Sequence, residues 1–432
     1  MHKRILPRVL GMALFASWTP YLIANPVIAN PVNADPELSS LIDWAITHDP
    51  GKQQLQYQAD AMTDMGIASG QWMDPKLKVG VGGLPVDTFD FDDDPMTNVS
   101  VGLMQQFGRG DTLALKQQQS TQQADSLREK MGVRELDIKN AITTQWIELA
   151  YLQQAHQLLR QNRTLFTELE HFLGTNYGVG ANQAQDIIQA QLQISRVDEK
   201  LQANEQMQQR LRAQLSEWLG QQASTVKADS YPQWTSLNAY LATAPSDSYQ
   251  VLAVHPSVRM VDQLIESAET GVDIAHEAYQ PQFGIEVMYG YRQANGMNGK
   301  PASDLVSAFL TLDIPLFTDK RQDKKLSSAQ HQLGAAKSQR DLMLQQMNAK
   351  VAALLIDRSN IEQRLARYQD SLLRQAKEKT RAIERGYQNN TNQLDEYIRA
   401  ASDELTIELE QARLNADLQL ANSNLAYMLN KF

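Results

Sequence analysis

The sequence predicts a mostly α-helical chain with a small β part: long antiparallel coiled-coil helices and four short strands suited to a membrane. Three observations carry this expectation. The chain is one unit written twice, each copy holds two runs of strict apolar–polar alternation, and each pair of runs precedes a proline-free stretch of more than sixty residues.

The duplication comes first, because a missed repeat misreads the whole fold. His48-Asp49-Pro50 recurs as Val254-His255-Pro256, and Met73-Asp74-Pro75 recurs as Tyr279-Gln280-Pro281, both prolines shifting by 206. Phe107 then matches Phe317, Tyr177 matches Tyr387, Gln183 matches Gln393 and Ala190 matches Ala400, all shifting by 210. The four extra residues are expected in one place, the Gly/Asn/Pro loop around Asn295 to Ser303. The predicted organisation is a signal peptide over 1–34, a first repeat over 35–221, a polar linker over 222–247 and a second repeat over 248–432.

The alternating runs predict strands with one apolar and one polar face. In the first copy Leu77, Val79 and Val81 alternate with Lys76, Lys78 and Gly80; Val99, Val101 and Leu103 alternate with Ser100, Gly102 and Met104. In the second, Phe283, Ile285, Val287, Tyr289 and Tyr291 oppose Gly284, Glu286, Met288, Gly290 and Arg292. Ala308, Leu310, Leu312 and Ile314 likewise oppose Ser307, Phe309, Thr311 and Asp313. Runs of roughly 8–11 residues are the length that crosses a tilted bilayer span. Charges on the polar face suit a water-filled lumen.

Residues 112–173 and 319–386 read as rods of ~93 and ~102 Å at the α-helical rise. Residues 183–220 and 393–431 read as shorter return rods, and Gly51–Met73 and Arg259–Tyr279 as helices short enough to stack on them end to end. The stacked pairs match the long rods in length, so two composite rods beside two continuous ones are predicted. Apolar stripes are narrow and Gln, Glu, Lys and Arg abundant, which favours coiled-coil packing with wide wet faces.

Composition narrows the function. The chain has 432 residues, no cysteine, 40 basic and 50 acidic side chains and a net charge of −10. Disulfides, thiol chemistry and a lipid-modified N-terminal cysteine are excluded. An acidic chain disfavours nucleic acid as a partner. No run reaches the roughly 18 apolar residues of a membrane-spanning helix. His2, Lys3, Arg4 and Arg8, the apolar stretch Val9–Ala24 and the small residues Val32-Asn33-Ala34 form the layout of a cleaved secretory signal. Cleavage after Ala34 takes the charge from −10 to −13.

A bilayer tolerates no open sheet edge, since each unpaired backbone group there costs several kcal/mol. Four strands cannot close a barrel alone, as single-chain barrels begin at about eight. Several chains must then share one barrel. Leu41-Ile42-Asp43-Trp44-Ala45 ahead of His48-Asp49-Pro50, Phe317-Thr318-Asp319 after the second strand pair, and the turns at Tyr177 and Tyr387 resemble the TolC family of outer-membrane efflux ducts. The segment Asp74–Leu113 is similar to the heavy-metal branch of that family, which exports copper and silver or cobalt, zinc and cadmium. The resemblance covers essentially the whole mature chain. It implies a homotrimeric α-barrel/β-barrel tube in the outer membrane of a Gram-negative bacterium, each chain giving four strands. It also implies two protein partners, a periplasmic adaptor and an inner-membrane pump of the resistance-nodulation-division type, with outer-membrane lipid around the barrel.

The resemblance further implies a periplasmic gate at the helical turns, made of Tyr177, Asp186, Tyr387, Asn392, Glu396 and Arg399. Asp186 and Tyr387 match family positions, and Glu396 keeps the charge of a family aspartate. Asn392 stands where the family has an arginine, and Arg399 where it has a second aspartate. Three copies of Glu396 and Arg399 would give a mixed-charge ring. Trp72, Phe107, Tyr279 and Phe317 flank the strands and are expected as an interfacial aromatic belt.

Other constellations point to no chemistry. The histidines His48, His156, His171, His255, His276 and His331 are unclustered, whereas metal ligation needs clustering. Met62, Met65 and Met73, and the pair Met343 and Met347, are expected to pack. Asp87, Asp90, Asp92, Asp93 and Asp94 crowd a loop without EF-hand spacing. No nucleophile–base or carboxylate pair is evident, so no enzyme, no cofactor and no metal site are expected. The rival reading is a soluble periplasmic coiled-coil protein of structural or adaptor-like type, which leaves the alternating strands without a role.

Overall fold

A computed structural model describes residues 36–178, 183–243, 248–389 and 391–432. The expected signal peptide and part of both helical turns lie outside the described residues.

Two short helices, α1 (Pro36–His48) and α2 (Pro50–Ser69), lead into strands β1 (Lys76–Gly82) and β2 (Asn98–Gln106). The long helix α3 (Thr112–Gly178) and its return α4 (Ala184–Leu219) complete the first copy. Short helices α5 (Thr235–Ala242) and α6 (Tyr249–Ala253) precede the second, which runs α7 (Pro256–Glu277), β3 (Gln282–Tyr291) and β4 (Leu305–Asp313). A second long rod follows as α8 (Gln322–Arg367) and α9 (Leu373–Gln388), joined through a π turn over Tyr368–Leu372, and α10 (Leu394–Leu429) returns. At the helical rise the 67 residues of α3 span about 100 Å.

The rods assemble as the lengths predict. Helices α2 and α4 lie against opposite halves of α3, and their ends meet near its middle. There Arg134 of α3 pairs with Asp49 at the start of α2, while Leu215 and Leu219 of α4 pack on Ile138, Ile142 and Trp146. Helices α7 and α10 meet at the same level. His255 Nε2 lies 3.2 Å from the Tyr427 carbonyl, and the Tyr427 hydroxyl donates to Asp137 of α3 at 2.8 Å. Proline at the first helical position starts both α2 and α7, where its missing N–H costs nothing. The second rod is continuous as expected and contains one wider π turn, where the Tyr368 hydroxyl donates to Glu410 of α10 at 2.9 Å.

Of the stretch 222–247, read as a polar linker, the described residues 222–243 are built into the body. Val226 and Ala228 join the core around Trp146, and Trp234 and Leu237 join the core around Leu425 and Leu429. The Trp146 indole donates to the Ser230 carbonyl at 2.9 Å, and that of Trp234 to Gln419 at 2.6 Å. Short helices end at this waist and would leave α3 and α10 bare, so the few apolar residues of the stretch cover them. The third core, around Phe166, Leu173, Tyr397 and Leu405, lies nearer the turns.

The strands form one antiparallel sheet in the order β1-β2-β3-β4. Its register puts Val79, Val101, Tyr289 and Val306 in one row across the sheet. The four extra residues of the second copy divide between two places. Strands β1 and β3 begin 206 residues apart, and α3 and α8 begin 210 apart. Lys76 pairs with Met104 and Gln282 with Asp313, so the partner strands β2 and β4 are offset by 209. Three of the four therefore lie between β3 and β4, on the side of the expected loop around Asn295 to Ser303, and one follows β4. Pleat parity agrees: an offset of 209 equates outward Val101 with outward Leu310, whereas 210 would equate it with Thr311 on the opposite face. Helices α4 and α10 correspond at both ends with an offset of 210.

Candidate functional site

The sheet presents two unlike faces. The apolar one is open throughout, with Val79 and Leu310 each 72% exposed and Val306 75% exposed. A water-facing surface of that kind is unfavourable at about 25 cal/mol per Å². On the other face Ser100, Gly102 and Glu286 are buried, and Lys78 Nζ bonds Glu286 at 2.6 Å. Gly102 is required there, since a Cβ would meet the Met288 side chain at 2.5 Å. Strand β1 pairs only with β2, and β4 only with β3, so both sheet edges are open among the described residues.

The four predicted belt aromatics gather where strands meet helices. Trp72 packs edge-on against Phe107 with ring centroids 5.4 Å apart. The Phe107 N–H extends the ladder to the Phe283 carbonyl at 2.9 Å. The Tyr279 hydroxyl donates to Asp323 at 2.7 Å, and Phe317 is exposed. No helix of the described residues is long and apolar enough to cross a membrane.

The turns at the far end hold the six predicted gate residues. Tyr177 is exposed near the end of α3, and Tyr387 holds the equivalent place near the end of α9. Asp186 is occupied locally, its carboxylate accepting from the Gln183 N–H at 3.1 Å at the start of α4. Glu396, its counterpart, accepts from Asn392 Nδ2 at 2.6 Å. Within the protomer Arg399 pairs with Asp395, one turn back on α10, rather than with Glu396. Asp395 also accepts from Gln189 of α4 at 3.2 Å, tying the two return helices together.

Sequence reasoning missed Asp395, Gln189 and Tyr397. The four-residue spacing of Asp395 and Arg399 was a readable signal. The stacking of Tyr397 on Tyr387, with centroids 6.2 Å apart and planes 5° from parallel, was not. Burial pushes the Tyr397 hydroxyl pKa up to about 12. The second turn closes on Gly386, whose carbonyl accepts from the Thr391 N–H at 2.8 Å and the Asn392 N–H at 3.2 Å. A Cβ at Gly386 would lie 1.8 Å from Asn392 Oδ1.

Among the described residues no three His, Asp or Glu side chains gather in a metal-holding arrangement. In the acidic loop, Asp90 and Asp94 accept backbone N–H bonds from Asp92 and Met96 at 3.2 and 2.7 Å, as turn-forming residues do. Met343 and Met347 pack beside the core, whereas Met62, Met65 and Met73, expected to pack, are exposed. Helix α2 packs chiefly on α3, so its other side stays open.

Residues 248–431 match the outer membrane efflux protein family. No curated protein matches the chain in sequence. Among solved structures, the outer membrane protein VceC of Vibrio cholerae is 16% identical, with a TM-score of 0.74 over 91% of this chain and 96% of that one. A membrane protein of Pseudomonas aeruginosa is 16% identical, with a TM-score of 0.76 over 91% and 94%. CusC, whose structures concern folding and transmembrane channel formation, is 16% identical, with a TM-score of 0.75 over 91% and 92%. Both the family and the fold are those of channels and not of enzymes. The second copy thus matches the outer membrane efflux protein family, and the chain as a whole has the fold of the solved outer-membrane channels.

Proposed function

We propose that the protein is the exit duct of a tripartite efflux system, conducting substrate passively across the outer membrane of a Gram-negative bacterium. One observation carries this reading: a four-stranded sheet with an open apolar face and two open edges sits at one end of a helical body about 100 Å long. An open edge is tolerated in lipid only when paired. In a homotrimer β4 of one protomer pairs with β1 of the next, and twelve strands close. The helices continue the pore into the periplasm, where an adaptor and a resistance-nodulation-division pump engage the helical end. The gate is assigned to the turns bearing Tyr177, Asp186, Tyr387, Asn392, Glu396 and Arg399, and the interfacial belt to Trp72, Phe107, Tyr279 and Phe317. Heavy-metal cations are the proposed substrate class, on the similarity of Asp74–Leu113 to the metal-exporting branch.

The test is extraction of outer membranes with detergent, mass determination of the particle and reconstitution in planar bilayers. A trimer that conducts is the expected result. A monomer or dimer in the soluble periplasmic fraction would overturn the barrel and favour an adaptor-like coiled-coil protein.

A further inference from the structure

The second copy carries a basic groove that the first copy lacks. Lys116 of α3 and Lys320, Arg321, Lys324 and Lys325 around the start of α8 line it, over a floor of small and apolar residues on α7 that includes Ile274 and Ala278. None of these five cations has a carboxylate partner among the described residues, although many other lysines and arginines of the helices are paired. Asp319, next to Lys320 in sequence, is exposed and pairs with none of the five, and other nearby acids are engaged elsewhere. Asp313 pairs with Arg109, Asp323 accepts from Tyr279, and Glu277 accepts from the Asp111 N–H. Unpaired like charges held together repel one another, so the groove is left in want of an anion.

Duplication does not explain the cluster. At the offset of 210 that relates α3 to α8, the counterparts of Lys320, Arg321, Lys324 and Lys325 are Gly110, Asp111, Ala114 and Leu115. The second copy gained four cations where the first has an acid and no base. It gained them shortly after the end of β4.

The chain between β4 and α8 places the groove. Ile314, on the parity of the outward face of β4, is 54% exposed, and Leu316 and Phe317 are 75% and 82% exposed. The chain thus passes from exposed apolar residues straight into exposed cations, at the helical end of the sheet and opposite the loops 83–97 and 292–304. Apolar anchors followed by unpaired lysine and arginine match the boundary between acyl chains and anionic head groups.

We infer that this groove binds the phosphodiester head group of an anionic phospholipid in the leaflet facing the helices, anchoring a chain whose sequence offers no cysteine for a lipid anchor. The inference rests on the duct reading, which places the sheet in a bilayer with the helices in the periplasm. Phosphatidylglycerol is the simplest such lipid.

The test uses the full-length particle and the variant K320Q/R321Q/K324Q/K325Q, titrated in non-ionic detergent with phosphatidylglycerol, phosphatidylcholine or inorganic phosphate and read by native mass spectrometry. Retention of phosphatidylglycerol over phosphatidylcholine by about tenfold or more is expected for the unaltered protein, with loss of that preference in the variant. If the variant does not fold, the comparison of the two lipids on the unaltered protein decides alone. Equal retention of both lipids would overturn the inference, as would displacement of phosphatidylglycerol by low concentrations of free phosphate. Conductance is recorded on the same preparation. A conducting trimer without lipid preference refutes the head-group site alone, whereas a soluble, non-conducting chain refutes the duct reading beneath it. Unchanged lipid retention with altered anion permeability in the variant would place the groove in the lumen and also refute the inference.

Discussion

Asp49 and His255 occupy the same position 206 residues apart and cap the two copies of one helix with different chemistry. The Asp49 carboxylate accepts from the Lys52 N–H at 2.7 Å, and His255 Nδ1 accepts from the Ser257 N–H at 3.2 Å. Asp49 also holds Arg134 through two bonds of 2.9 Å, and that guanidinium lies 4.8 Å over the Trp218 ring. His255 is 1% exposed, so its bare Nδ1 accepts while its Nε2 hydrogen points at the Tyr427 carbonyl.

This arrangement makes the second copy sensitive to acid. Burial holds the imidazole below its ordinary pKa of 6.5, against the opposing pull of the Tyr427 carbonyl and the Asp137 charge. A histidine depressed in the folded state adds no pH dependence above about 6.5 and destabilises below it, because the unfolded chain takes up the proton first. Thermal unfolding followed from pH 8 to 5 should therefore show stability falling below about 6.5. His255→Asn keeps a capping acceptor and should flatten that slope. An unchanged slope would mean that other groups set it.

Asp49→Ala removes a helix cap and strands a half-buried guanidinium. The expected loss is about 2–3 kcal/mol, from a charged hydrogen-bond pair plus a cap. The Arg134 guanidinium holds the Asp49 carboxyl below its ordinary pKa of 3.8, so this stabilisation is present above that value and disappears as pH falls beneath it. Denaturant titrations of both proteins at neutral pH and near pH 3 would measure the difference, which should shrink in acid.

The two faces of β4 should respond oppositely to charge. Leu310 faces outward at mid-strand and Ser307 faces the other way. Leu310→Arg should cost about 2–4 kcal/mol per chain in a bilayer, and a charge on the lumen side far less. Recovery of folded trimer in outer membranes should therefore drop for Leu310→Arg and hold for Ser307→Arg.

Arg399 is an exposed charge paired one turn back along its own helix, an arrangement worth about 0.3–0.5 kcal/mol. Arg399→Ala should leave thermal stability nearly unchanged. It should also free Asp395 and raise the preference for cations over anions in planar bilayers, because the acids at the turns lose their compensation. Gly386→Ala is expected to disturb the same turn sterically and increase single-channel conductance. Unaltered conductance and selectivity in both variants would remove these turns from the gate.

The sequence by itself determined the periodic parts of this protein. Strict alternation is enough to assign strands and faces, because side chains alternate with period two whatever the strand packs against. Rods from Thr112 and Gln322 were legible for the same kind of reason, since a long stretch without proline and with narrow stripes has few other fates. Their end-to-end stacking followed from length alone. Tertiary structure decided what depends on contacts between distant segments. It drew Trp234 and Leu237 out of an apparent linker into the core, because bare ends of short helices needed covering. Pairing register, visible only once β3 and β4 meet, put three of the extra residues between those strands and one after them. Stacking of Tyr387 on Tyr397 and pairing of Arg399 with Asp395 needed the turn geometry. The basic groove is likewise a property of assembly, because Lys116 and Lys325 lie more than two hundred residues apart and share a surface only when α3, α7 and α8 are placed side by side.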